Sequence, residues 1–244
     1  WKLQRRRREY GLVLQGFGIA VMYLTTLAAL KLHPMISSAA AFSVMFGLTA
    51  FMAALAVRQN ALPMAQIALI GGMAAPLLVS DGGGKYIILF SYLALLNAGI
   101  AFIAWFKTWR SLNLAGFAGT FLIASLWGAG AYDPRHFAAT EPFLIYHWLL
   151  YTLIVCFFAR NRLRESPNDA APIPDNATLS QILQGILAGG IRVHILDHIL
   201  LFGTMSAAFG LQCRMASGWT HGAAWSASGF AAAYAVAALL LYGR

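Results

Sequence analysis

His194, Asp197 and His198 form a His-x-x-Asp-His pattern inside an apolar stretch of the chain. Spacings of three and four turn side chains toward one side of a helix. Asp197 is the only acidic residue within a candidate span, and an ionisable group in lipid is expensive to keep. The pattern therefore points to a proton relay, an ion site or half of a metal site. A histidine pair four apart supplies two ligands, whereas zinc takes three or four. His147 falls near the outer end of its own span and the pair near the inner end of theirs. At about 1.5 Å rise per residue, they differ in depth by more than ~10 Å. They cannot share one ion, and no metal is expected. The competing reading is structural, with Asp197 paired to Arg192 or a histidine at headgroup level.

A second group faces the opposite side. Asp133, Arg135, His136 and Glu141 occupy the longest outer connection, close to His147. A carboxylate beside a histidine can act as acid and base, the equipment of an intramembrane transferase. Asp, Pro, Arg and His are also the ordinary content of a wet turn. Ser80-Asp81-Gly82-Gly83-Gly84-Lys85 has a phosphate-loop flavour but lacks the G-x-x-x-x-G-K-[ST] pattern, and is expected to be a flexible outer turn. Gly71, Gly72 and Pro76 mark a place where a span can break, as in transporters, or simply kink and pack. Gln66 in the same span and Asn97 in the next offer a hydrogen bond across the pair.

These residues must be carried by membrane helices. The 244 residues are 60% hydrophobic and 10% charged, with a mean hydropathy of +0.68, which excludes an ordinary soluble domain. Hydropathy marks eight spans of about 20 residues, at 10–30, 35–57, 61–79, 86–106, 112–131, 142–159, 191–215 and 222–242. With the N-terminus inside, the cytoplasmic side holds all of the 17 basic residues except Lys31, Lys85, Arg135 and Arg214. That asymmetry follows the positive-inside rule, and one helix more or fewer would scramble it. Trp105, Trp109, Trp127, Trp148, Trp219 and Trp225 fall at span ends, at headgroup depth. Arg5–Arg8 before the first span resemble a signal-peptide n-region. The run behind them is too long for an h-region, so a retained span is expected.

Only residues 160–190 are long enough to hold anything else. Pro167, Pro172 and Pro174 mark a polar linker, followed by Leu179, Ile182, Leu183, Ile186 and Leu187 at helical spacing. A short amphipathic helix on the inner membrane surface is expected there. Small residues recur as packing seams, at Gly116 and Gly119 in the fifth span and at Gly222, Ser226, Gly229 and Ala233 in the eighth. Cys156 and Cys213 fall near opposite ends of their spans, too far apart to bridge.

The chain reads Gly71-Gly72-Met73-Ala74-Ala75-Pro76-Leu77-Leu78, then Leu89-Phe90-Ser91-Tyr92-Leu93-Ala94-Leu95-Leu96-Asn97, then Leu112-Asn113-Leu114-Ala115-Gly116-Phe117-Ala118-Gly119-Thr120. Leu201-Phe202-Gly203-Thr204 and Ala207-Ala208-Phe209-Gly210-Leu211-Gln212 follow. In this order the blocks resemble the bacterial predicted-membrane-protein family called domain of unknown function 2339, over nearly the whole chain. The resemblance implies a large inner-membrane protein with more helices than eight, of which this is an internal slice. It carries over no activity, cofactor or catalytic residue. His198 departs from it, since a small residue is expected after the aspartate.

The expectation is an all-α integral membrane protein. Residues 1–159 form a six-helix region, 160–190 a cytoplasmic linker with its surface helix, and 191–244 a two-helix region. Its expected role is to move or position a small or lipid-linked envelope molecule, without covalent chemistry of its own. A membrane scaffold and an outer-face transferase are the alternatives. No cofactor and no nucleic acid are expected. The expected surroundings are a bacterial inner membrane with anionic headgroups at the inner face, with other membrane proteins as candidate partners.

Overall fold

The computed structural model describes residues 2–33, 35–79, 86–165 and 195–242. Eight long α-helices occupy them: α1 Lys2–Lys31, α2 Ser38–Gln59, α3 Leu62–Val79, α4 Tyr86–Phe106, α5 Arg110–Ala131, α6 Phe137–Glu165, α7 Ile195–Met215 and α8 Gly222–Tyr242. Among the described residues there is no strand, and α1 to α7 are each long and apolar enough to cross a membrane. The chain divides within α5 into two compact units, Trp1–Thr120 and Phe121–Arg244.

In the first unit, polar side chains fasten apolar helices together. α2 starts on Ser37, whose hydroxyl accepts from the Ala40 N–H at 3.2 Å. It stops at Asn60, which adopts a left-handed φ of 52° and returns its N–H to Ala56 and Val57 carbonyls. This cap lets α3 fold straight back along α2. Tyr23 of α1 bonds the Thr49 hydroxyl of α2, and both hydroxyls approach the Met45 carbonyl at 2.9 Å.

α3 is helical throughout, with Pro76 inside it. The break considered at Gly71, Gly72 and Pro76 is absent, for a local reason. Proline has no N–H to give the carbonyl four residues back, which is that of Gly72. Tyr92 of α4 supplies the missing donor, its hydroxyl 2.7 Å from the Gly72 oxygen. Phe42 and Phe46 hold the Tyr92 ring, with centroids at 4.6 and 5.8 Å. Gly72 itself is closely approached, since a Cβ there would lie 2.8 Å from Thr49.

Gln66 and Asn97 do not bond each other as expected. Gln66 donates to Ser111 at 3.2 Å, and Asn97 donates to Thr120 at 2.8 Å, so each ties its helix to α5. The seam on α5 is real, with Gly119 placed directly against the Met73 side chain of α3.

In the second unit, α6 packs against α7, and Glu141 near the start of α6 meets Gln212 near the end of α7. The buried face of α7 carries Asp197, Leu200, Thr204, Ala208 and Gln212, a helical stripe with polar residues at both ends and in the middle. α8 meets α6 where the Trp148 indole N–H donates to the Tyr234 hydroxyl at 2.8 Å.

Both ends of α6 differ from the hydropathy reading. The connection placed at 132–141 is mostly helical: Pro134–His136 form a 3-10 turn and α6 begins at Phe137. Asp133 caps this turn, so Glu141 belongs to a helix and not to a loop. At its other end α6 continues to Glu165, past the apolar stretch. The surface helix expected from Leu179 to Leu187, the turn at 80–85, Arg192 and His194 lie outside the described residues.

Candidate functional site

Of the first candidate cluster, the structure describes Asp197 and His198. Asp197 is buried in the first turn of α7, only 7% exposed. His198 is exposed and stacks on Phe202, with ring centroids 6.4 Å apart. Consecutive helical residues point about 100° apart, so they cannot share a face. Among the described residues no three His, Cys, Asp or Glu side chains converge as a metal site.

Asp133 bonds both Arg135 and His136. The Arg135 guanidinium meets both Asp133 carboxylate oxygens at 2.9 and 3.0 Å, and its N–H adds a bond at 2.8 Å. The His136 Nδ1 accepts from the Asp133 N–H at 3.3 Å, completing a reciprocal cap. The trio starts α6, which is the turn role weighed against catalysis. The Arg135 side chain, then its backbone N–H, hold the Asp133 carboxyl down to about 2. Burial, reinforced by Glu141 and Asp133, pushes the neighbouring Tyr132 phenol up.

A titration follows from this. Because the folded pKa of Asp133 is depressed, the pair is fully formed above the ordinary aspartate range and is lost as pH falls through about 2. Carboxyl NMR should give Asp133 a midpoint near 2 in the intact chain, and Arg135→Ala should return it toward the ordinary value. An Asp133 midpoint unchanged by that substitution would contradict the pairing.

Glu141 and His147 go elsewhere. His147 is buried, its Nδ1 2.7 Å from the Phe143 carbonyl one turn back. Glu141 accepts from the Gln212 amide of α7, Nε2 to Oε1 at 2.8 Å. Sequence reasoning did not single out Gln212. Its signal is the α7 stripe, on which it lies fifteen residues from Asp197 and eight from Thr204.

The Glu141–Gln212 pair lies on a cavity of about 480 Å³ within the second unit, at the end of the helices where α7 turns into α8. Cavities of this size hold small-molecule ligands. The lining is mainly apolar, and Phe137, Trp148, Trp219, Trp225 and Phe230 give it five aromatic rings. Ser226 also lines it, but its hydroxyl is bound to the Gly222 carbonyl at 2.8 Å. Trp219 and Trp225, read from the sequence as headgroup anchors, therefore also form cavity wall. The seam expected on α8 is realised only at one end. Gly222 and Ser226 are buried, whereas a Cβ on Gly229 would meet nothing within 4 Å.

The cavity does not run to the other candidate. Asp197 lies fifteen residues from Gln212, about 22 Å along the helix axis at ~1.5 Å per residue, and is not in the lining.

Apolar helices, buried interhelical polar bonds and lipid-type exposed faces define a helical membrane protein. The whole chain, residues 1–244, matches the family described as Predicted membrane protein (DUF2339), and it belongs to that family. No curated protein and no solved structure matches it significantly.

Proposed function

We propose that the protein holds an amphiphilic, small or lipid-linked molecule in the cavity walled by α6, α7 and α8, and so moves or positions it in a bacterial inner membrane. The observation that carries this reading is the cavity: an aromatic wall suited to an apolar chain, with a single carboxylate–amide pair as its main polar feature. A scaffold would need only sealed seams. A transferase would need acid and base beside the opening, and Asp133, Arg135 and His136 are engaged in capping α6. The test uses the buried Trp148 in the wall. A dodecyl chain brominated near its end should quench Trp148 fluorescence saturably in the detergent-solubilised chain. Quenching that rises only in proportion to added chain would count against a bound state.

The same reading takes α8 as an eighth span and places the N-terminus in the cytoplasm. The cavity then opens toward the outer leaflet, and the linker with its Leu179–Leu187 surface helix meets anionic headgroups inside. The asymmetry of basic residues supports this. Reporter fusions should find the α2–α3 connection at Asn60 inside and the α7–α8 connection at Trp219 outside. The reverse pattern would overturn the orientation.

A second reading has one observation in its favour. Asp197, Thr204, Gln212 and, on α6, Thr152 and His147 are all buried polar residues of the α6–α7 pair. Such a stripe is the raw material of a proton relay. Asp197→Asn should leave the fold intact, since shape and hydrogen bonding survive. Loss of proton uptake by vesicles containing the variant would favour the relay, and unchanged uptake would leave Asp197 structural.

A further inference from the structure

Two buried oxygens mark what kind of headgroup the cavity accepts. Gln212 spends one amide hydrogen on Glu141 Oε1, yet its own carbonyl oxygen and Glu141 Oε2 are buried with no hydrogen-bond partner. Both are acceptors, and a buried acceptor without a donor is costly enough that native structures rarely leave one. Glu141 and Gln212 both line the cavity, and Gln212 is itself buried. No lysine, arginine or histidine is in the lining.

We infer that the ligand is an amphiphile whose headgroup donates hydrogen bonds and carries no negative charge, an amine or a hydroxyl, seated against Glu141 Oε2 and the Gln212 carbonyl. This rests on the binding reading above and adds the headgroup to it. An ammonium, with three hydrogens, can satisfy both orphaned oxygens at once, and a hydroxyl, with one, satisfies one of them. An ammonium gains the carboxylate's charge as well, because hydrogen bonds to an ionised partner are the stronger ones. A phosphate or carboxylate head would bring a second set of acceptors against the first, with no cation to neutralise it. The chain of the amphiphile then lies along Trp148 and Phe230, whose rings pack edge to face at 4.9 Å. The inference names no step of bond making or breaking; the site binds and orients.

The experiment compares brominated dodecyl chains bearing an amine, a hydroxyl, a carboxylate or a phosphate. Each is titrated against the tryptophan fluorescence of the intact chain in an unbrominated detergent. The amine and the alcohol should bind at least about tenfold more tightly than the two anions, as one well-formed hydrogen bond to a charged group implies. Glu141→Gln is nearly isosteric and keeps the fold. It should remove most of the amine's advantage over the alcohol while the alcohol still binds. Gln212→Leu should weaken both. Anions binding as tightly as the amine, or an amine preference untouched by Glu141→Gln, would overturn the headgroup assignment while leaving a chain-binding cavity in place. Saturable quenching by none of the four would defeat the binding reading itself, and the headgroup assignment with it.

Discussion

Gly222→Ala is expected to destabilise the second unit by about 1–3 kcal/mol, the usual cost of forcing atoms into a filled site. A Cβ at Gly222 would lie 2.2 Å from the backbone oxygen of Ala216 and 3.0 Å from its Cβ. Backbone cannot swing aside as a methionine side chain can. The turn between α7 and α8 is also committed elsewhere, since His221 already holds a left-handed φ of 62°. The helices would have to part, and the wall that Gly222 and Ser226 contribute to the cavity would move with them. Thermal unfolding in detergent should register the loss, and saturable quenching by a brominated chain should weaken in the same variant. Gly229→Ala is the control. Its Cβ meets nothing within 4 Å, and alanine is the better helix former, so its stability should match or exceed the parent's. Equal stability of the two alanine variants would refute the close approach.

Tyr92→Phe should cost about 1–2 kcal/mol, because it leaves the Gly72 carbonyl buried without a donor. The proline is what makes this bond matter. Elsewhere in a helix the N–H four residues on would serve that carbonyl, and at position 76 there is none. In a Pro76→Ala background the helix supplies its own donor, so Tyr92→Phe should lose most of its effect there. The double-mutant cycle isolates that dependence, since the two residues act through one carbonyl. Full additivity of the two substitutions would show that the Tyr92 hydroxyl acts independently of Pro76, and no effect of Tyr92→Phe would show that Tyr92 matters only as a ring against Phe42 and Phe46.

The helices were legible because lipid imposes a simple rule on their sequences. α4 and α8 have the bounds that hydropathy marks, residue for residue. α1 and α6 run further, because hydropathy reports where lipid can be, whereas helix continues through Arg and Glu until something stops it. Asp197 was legible as a buried group, since an unpaired carboxylate in lipid is prohibitive. Its neighbour His198 is exposed, one residue's rotation further about the helix. Glu141 was visible as chemistry but assigned to a loop, because the Asp133–His136 cap that starts α6 early was read as a wet turn. Gln212 lies on a readable α7 stripe, but its pairing with Glu141 and the cavity could not be read. They depend on which faces of α6, α7 and α8 meet, and a run of apolar residues in lipid does not specify its partner. Tyr92 was quoted only as part of a family block. Its task follows from the register between α3 and α4, which the sequence does not state.

The central claim is that an amphiphile occupies the aromatic cavity beside Glu141 and Gln212, and filling that cavity tests it most directly. Gly229 lines the cavity and has open space at its Cβ, so Gly229→Phe should fold normally and place a ring where the chain would lie. Native mass spectrometry of the parent protein, extracted gently and incubated with a dodecylamine, should show a bound adduct that persists when the detergent is stripped. The filled variant should unfold at the same temperature as the parent and carry no adduct. The same adduct on both proteins, or on neither, would contradict the account.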